Sequence, residues 1–364
     1  MLYYIAYTID YLLNRHDYSF DEEKQHKDNK LIFKDSVFTK FMTRCRRQKL
    51  QKMEHVDAKP VPEIDINDLT PEVVAHVSQK FTEPFVVRGL IKDFDCVKKW
   101  NLDYFEEKFG DIEVLAFTEN NVSYSRTKHT SVSESITIRD ICAGIKEGKP
   151  LYINNISKLF TVNSIAQSDL NLDKIDTISN VKFFPKSQQH KTYFMSQLFL
   201  GGKNTGTSLH CANNINFFFN IAGVKRWGFI SPRYTPLINC QTSARGLFAV
   251  CDDDFFSSDA FSKIPRYETY LQPGDFLFNP AWYWHAVQNK SDYTIAVANR
   301  YIYDLFEIMP HIGNNIFFSF LQLFSIKYYW SWLTADKKKK TYQEVYGNLV
   351  DQEIINNLSQ SKAI

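Results

Sequence analysis

GGKNTGTSLHCANNINFFFNIAGVKRW, residues Gly201–Trp227, reads as three short strands separated by two turns. Gly201, Gly202 and Gly206 punctuate the first part, Ile215–Ile221 is almost purely apolar, and Ala222-Gly223 supplies the next turn. Two polar residues stand alone in this text. His210 sits where the first turn ends, and Lys225 follows the buried run after the Ala222-Gly223 turn, as a cation aimed into a pocket would. Downstream, PGDFLFNPAWYWHAVQ (Pro273–Gln288) repeats the pattern. Pro273-Gly274 suits a type II turn, Phe276–Phe278 a buried strand, and His285 follows two tryptophans.

The chain around these stretches reads as mainly β with flanking helices. Thr70-Pro71 is a helix start with Thr70 as N-cap, and Leu102–Phe109 and Thr137–Glu147 read as helices. Pro84–Leu90, Ile112–Phe117, Leu151–Asn155, Tyr193–Leu200 and Tyr293–Asn299 read as strands. Residues 156–190 look less regular, and 232–272 look like a long insert between core strands, with a Cys251–Asp254 acidic run. Residues 14–59 are polar and highly charged, as in a solvated connector. Met1–Leu13 is apolar but too short to span a bilayer and lacks the basic start of a secretory signal, so a packed amphipathic helix is expected.

At 364 residues the chain can bury a full core. Its net charge of +2 offers no broad field for an anionic polymer, so no nucleic acid is expected as a partner. Thirty Phe and twenty Tyr suit a β-rich interior. The six cysteines are scattered without a CxxC pair, which fits reduced thiols and a cytoplasmic setting, with nuclear or membrane-associated settings as alternatives. Four Asn-x-Ser sequons, at Asn121, Asn155, Asn289 and Asn357, are what chance gives in this composition.

Taken in order, GT-x-x-H, N-F-F, G-x-K-R-W and PGD-x-L-x-x-P-x-x-W-H resemble the JmjC/cupin-like Fe(II)/2-oxoglutarate oxygenases. Among them, the style is similar to the hydroxylase that modifies an asparagine of hypoxia-inducible factor. The resemblance spans Pro60–Tyr301, leaving residues 1–59 as an N-terminal segment and 302–364 as a C-terminal helical extension. It implies a double-stranded β-helix, a jelly-roll, holding Fe(II) through two histidines and a carboxylate, with 2-oxoglutarate as co-substrate and a protein or peptide as substrate. His210 and His285 match the metal histidines. Lys225 matches the lysine that holds the distal carboxylate of 2-oxoglutarate, and Thr207 and Tyr152 match the hydroxyls beside it. Asn216 and Asn299 match two asparagines that line the site. The family's C-terminal helices further imply a homodimer, with Ile316–Leu333 as a docking helix or, alternatively, a membrane-surface helix flanked by Lys337–Lys340.

One position departs from the pattern: His210-Cys211-Ala212 stands where the family has His-x-Asp. By strand alternation Cys211 points away from His210 and Ala212, and Asn213, Asn214 or an aspartate of 252–254 could replace the carboxylate only through a folded-in loop. Three functions therefore stay open. The chain is an oxygenase of the hydroxylase type, a non-catalytic binding module, or a halogenase in which Ala212 opens a halide position, as alanine or glycine does in the 2-oxoglutarate halogenases.

Overall fold

The computed structural model describes residues 5–6, 9, 37–117, 133–171, 174, 193–212, 215–242, 248–251 and 253–301. Most of Met1–Leu13, and Asn213, Asn214, Asp252, Ile316–Leu333 and Lys337–Lys340, lie outside the described residues, as do the expectations placed on them.

Sixteen strands follow one another in the described chain. They are β1 (Lys59–Pro60), β2 (Glu63–Ile64), β3 (Phe85–Val87), β4 (Glu113–Phe117), β5 (Ser133–Thr137) and β6 (Tyr152–Ile156). Then come β7 (Tyr193–Gly202), β8 (Gly206–Ala212), β9 (Ile215–Ala222), β10 (Lys225–Ile230), β11 (Cys240–Thr242) and β12 (Phe248–Cys251). The last four are β13 (Arg266–Leu271), β14 (Phe276–Asn279), β15 (Trp284–Asn289) and β16 (Tyr293–Tyr301). They form two sheets, ordered β1-β13-β10-β15-β8-β12-β11 and β2-β3-β14-β9-β16-β7-β6-β4-β5. Consecutive strands β7, β8, β9 and β10 alternate between the sheets, and β13–β16 return antiparallel beside them. That alternation is the jelly-roll, so the mainly β fold with flanking helices stands as expected.

Alternating side chains divide the interior into three layers. Between the sheets lie Trp227, Phe229, Val287 and Leu271 from one and Phe199, Phe218, Ala296 and Ala298 from the other. Phe217, Phe219, Phe276 and Phe278 face the opposite way, onto the helices that precede the barrel. Those helices carry the expected caps: Thr70 accepts from the Val73 N–H and Thr137 from the Asp140 N–H. Leu209, Cys211, Trp284 and Ala286 cover the outer side of the smaller sheet.

Three stretches are more structured than their text suggests. Residues 232–272 are no plain insert, because β13 inside them pairs with β10 along its whole length. Residues 158–170 form two short helices, Lys158–Val162 and Ser164–Leu170. Helix Val37–Gln51 lies within the charged connector and packs Phe38, Met42 and Leu50 on the outer layer. In each case a few apolar residues at the right spacing outweigh a polar average.

The PGD turn is a structural latch. Asp275 accepts from Arg88 Nη1 at 2.7 Å, from the Gly89 N–H and from the Gln272 N–H, tying this turn to the VVRG strand. Gly274, at φ +91°, supplies the left-handed backbone that the turn requires.

Candidate active site

The site occupies the space between the sheets, and strand register assembles it. His285 on β15 lies directly opposite His210 on β8, and the ring centroids are 4.1 Å apart. Each ring donates its Nδ1–H to a backbone carbonyl two residues earlier, His210 to Ser208 at 2.8 Å and His285 to Tyr283 at 2.9 Å. A carbonyl can only accept, so both Nε2 atoms carry lone pairs. Burial pushes the His210 pKa down to about 4, and burial together with neighbouring His210 holds His285 well below the ordinary value. Two adjacent neutral imidazoles with outward lone pairs are the donor set that a divalent metal requires. Trp227 stacks on His285 at 5.6 Å and walls that side.

Position 212, where the resemblance places a third ligand, is an alanine. Ala212 lies on the His210 face, while Cys211 packs into the outer layer, as alternation predicts. Asp254 instead receives the Phe256 N–H and the Ser257 hydroxyl in its own turn. Among the described residues, no group of three His, Cys, Asp or Glu side chains gathers to hold a metal. Among the described residues, two positions therefore fit a metal and no carboxylate joins them.

At the other end of the space stands Lys225, fully buried, donating from Nζ to Asn289 Oδ1 at 2.6 Å. Burial without an opposite charge pulls its pKa down to about 7. Asn289 in turn donates to Thr205 Oγ1 at 2.8 Å, and Thr205 donates to the Gly202 carbonyl. The Tyr152 and Thr207 hydroxyls stand 3.4 Å apart, and the Lys225 ammonium lies 5.7 Å from the Tyr152 ring centre. Four sequence-predicted residues, Lys225, Thr207, Tyr152 and, at the histidine end, Asn216, thus face the same space as the two histidines.

Asn299 does not join them. It pairs with Ser196 and Phe217, receives the Ser196 hydroxyl, and so points to the helix-covered side of the sheet. The next residue, Arg300, takes the inward face opposite Asn216. Asn289 and Asn279 were missed as well. Asn289 is a sequon residue with no exposed surface, so its Asn-x-Ser text is incidental. Asn279, opposite Asn216, places its amide nitrogen within 3.3 Å of His285. The Oδ1 atoms of Asn216 and Asn279 and the Nε1 of Trp227 are buried with no hydrogen-bond partner.

Comparison with known proteins agrees with this architecture. A family described as cupin-like domain matches residues 72–305, and the chain belongs to that family. Chicken tRNA wybutosine-synthesizing protein 5 is 25% identical over 215 residues, covering 56% of this chain and 66% of that protein. Human HSPB1-associated protein 1 is 26% identical over 132 residues, covering 34% of this chain and 27% of its own length. A tRNA wybutosine-synthesizing protein 4 from Gibberella zeae is 23% identical over 234 residues, 22% of its length. The chain thus spans less than two thirds of these relatives.

Proposed function

We propose that the chain is an iron- and 2-oxoglutarate-dependent oxygenase of the hydroxylase type. The observation that carries this is the pairing, inside one inter-sheet space, of two Nε2 lone pairs with a buried lysine that lacks a counter-charge. His210 and His285 would hold the metal, which when bound supplies oxygen activation. Lys225 would hold the distal carboxylate of the co-substrate, a charge-assisted contact made by a side chain with no exposed surface. Tyr152 and Thr207 offer hydroxyls to the same carboxylate, and Trp227 and Phe218 keep the space dry. The motif order, which resembles that of the hydroxylases, supports this type of reaction.

The substrate we infer is a protein or peptide side chain, since the net charge of +2 favours no polyanion. The names of the relatives include both a tRNA modification and a protein associated with HSPB1, so tRNA is the competing substrate to assay. Ala212 supports a second reading, a module that binds the acid and catalyses nothing.

The test is an anaerobic titration with Fe(II) and 2-oxoglutarate that watches for the metal-to-ligand charge-transfer band. A band in the wild type, lost in Lys225→Met, supports the oxygenase. The charge-assisted contact is worth roughly 1.5–3 kcal/mol, so Lys225→Met should weaken 2-oxoglutarate binding about ten- to a hundredfold. Equal affinity in both proteins rules out the lysine's role. Binding of the acid without any band selects the non-catalytic module, and turnover only with added halide selects a halogenase.

A further inference from the structure

Helix Val37–Gln51, VFTKFMTRCRRQKLQ, lies outside the layer between the sheets. It carries five basic residues and no acidic one, although the whole chain has a net charge of only +2. At 3.6 residues per turn its two sides differ. Phe38, Met42 and Leu50 pack onto the outer layer, while Val37, Lys40, Phe41, Arg44 and Gln48 are exposed on the other side. Val37 is 79% and Phe41 41% exposed. Among the described residues, neither Lys40 nor Arg44 makes an ion pair or a side-chain hydrogen bond. On the flank of the helix, Arg46, Arg47 and Lys263 share a cavity with Asp253 and Asp259, so the charges there nearly balance and the unmatched cations lie on the exposed face. Large exposed apolar side chains gather in this part of the chain. Of seven among the described residues, Ile5, Ile9, Val37 and Phe41 belong to this helix or to the helical turn near the start of the chain, whose Ala6 packs in the same outer layer as Met42. Single exposed apolar residues are ordinary, but four in two segments that share one layer mark an interaction surface.

We propose that the exposed face of this helix docks the protein on a membrane leaflet that contains anionic lipid. Lys40 and Arg44, one turn apart, meet the negative head groups, and Val37 and Phe41 on the same face enter the boundary between heads and acyl chains. Charge complementarity selects an anionic partner, because a helix with cations and no acid gains from each counter-charge it meets. The apolar pair selects lipid over nucleic acid. A phosphodiester backbone pairs with Lys and Arg but gives an aliphatic side chain such as Val37 nothing to bury against, whereas a bilayer interface takes both kinds of side chain on one face. The long stems of Lys40 and Arg44 suit that depth, since they lie along apolar surface while their charged ends stay at head-group level. The inner face is already docked through Met42 and Leu50, so the helix reaches the lipid formed and binding needs no helix nucleation. The contact is superficial: among the described residues no helix is long and apolar enough to cross a membrane. This docking is independent of the chemistry proposed for the site between the sheets.

Vesicle co-sedimentation of the full chain tests it, with vesicles of phosphatidylcholine alone and of phosphatidylcholine mixed with phosphatidylserine. The expected result is partition onto the mixed vesicles only, weakening as salt is added. Each cation near a charged leaflet contributes a factor of about five, so Lys40→Gln combined with Arg44→Gln should reduce partition about 25-fold. Val37→Ser combined with Phe41→Ser keeps the charge and should reduce it about tenfold. Lys149→Gln, at an exposed lysine on another part of the surface, should change nothing. Thermal unfolding checks that each variant folds, and the single substitutions Lys40→Gln and Phe41→Ser replace a double variant that does not. Equal partition onto both kinds of vesicle, or none onto either, overturns the proposal. So does partition that either double variant leaves intact, or that Lys149→Gln reduces equally. A duplex RNA bound in place of vesicles, with affinity lost in the cation pair and kept in the apolar pair, overturns it in favour of a nucleic-acid surface. None of these outcomes bears on Lys225 or the two histidines, so the docking surface and the reading of the site fail separately.

Discussion

The two ends of the inter-sheet space are completed differently. At the lysine end a chain of hydrogen bonds runs from Lys225 to Asn289, Thr205 and the Gly202 carbonyl, and only a negative charge is lacking. At the histidine end both imidazoles are held neutral, but Asn216, Asn279 and Trp227 keep buried polar atoms without partners. A buried unsatisfied group costs about 1–3 kcal/mol, so several in one wall make this the less finished of the two ends. In the proposed reading, one end holds a single anionic group and the other is finished by what enters.

The largest change should follow from finishing the histidine end with protein. In Ala212→Asp a carboxylate would share the His210 face and complete a two-histidine, one-carboxylate set. Iron affinity should rise by more than the about 10–100-fold typical of an outer-shell contact. Succinate formation from 2-oxoglutarate should appear or increase. Calorimetric Fe(II) titration of both proteins under anaerobic conditions measures it. If affinity is unchanged and the variant only melts lower, the new aspartate is an unpaired charge in a structural cavity, and the site is no lapsed or partial triad.

Closing the lysine end by volume should have the next largest effect. A Cβ on Gly201 would lie 2.5 Å from Tyr152 Cδ2 and 2.7 Å from both Asn289 Nδ2 and Thr205 Oγ1. Gly201→Ala should therefore cost about 1–3 kcal/mol of stability by overpacking and weaken 2-oxoglutarate, while leaving the two histidines in register. Denaturant midpoints, paired with Fe(II) affinity, separate the two ends. Equal losses of metal and acid affinity would show that the ends are one mechanical unit rather than two.

How much of this was legible in the sequence differs between the ends too. His210, His285 and Lys225 stood out because each sits at a fixed place inside its own turn-and-strand motif, and the motifs occur in order. The jelly-roll was legible for the same reason: turns with glycine separate runs long enough to be strands. Arg300 was not, because β16 is buried on both faces, and TIAVAN offers only small or apolar side chains from which to tell inside from outside. A choice between neighbours, Asn299 or Arg300, then depends on register with β7 and β9, which only the folded sheet supplies. Asn289 was hidden by its sequon, and Asn279 by standing before a proline in a turn. The strands within 232–272 were obscured by the polar residues around them, although β13 needs only Leu271 and its partners on β10 to hold its place.

The smallest expected effect concerns charge at the lysine end, and it tests whether the missing negative charge is the feature the ligand supplies. Asn289→Asp changes the partner of Lys225 from a neutral amide to a carboxylate of nearly the same shape. In the wild type the folded Lys225 pKa is about 7, below the value of about 10.4 expected in the unfolded chain. Between those values the unfolded chain binds a proton that the folded chain does not, so the stability of ligand-free protein should rise with pH across that window. A counter-charge at 289 should raise the folded pKa toward its ordinary value and flatten the rise. It should also weaken 2-oxoglutarate about tenfold, because the lysine already has an anion beside it. Denaturant unfolding of both proteins at pH 7 and pH 9.5, with calorimetry of the acid at neutral pH, reads both effects. An unchanged pH slope together with unchanged acid affinity would mean that Lys225 is a structural lysine satisfied by Asn289, and the two ends would then differ only in packing.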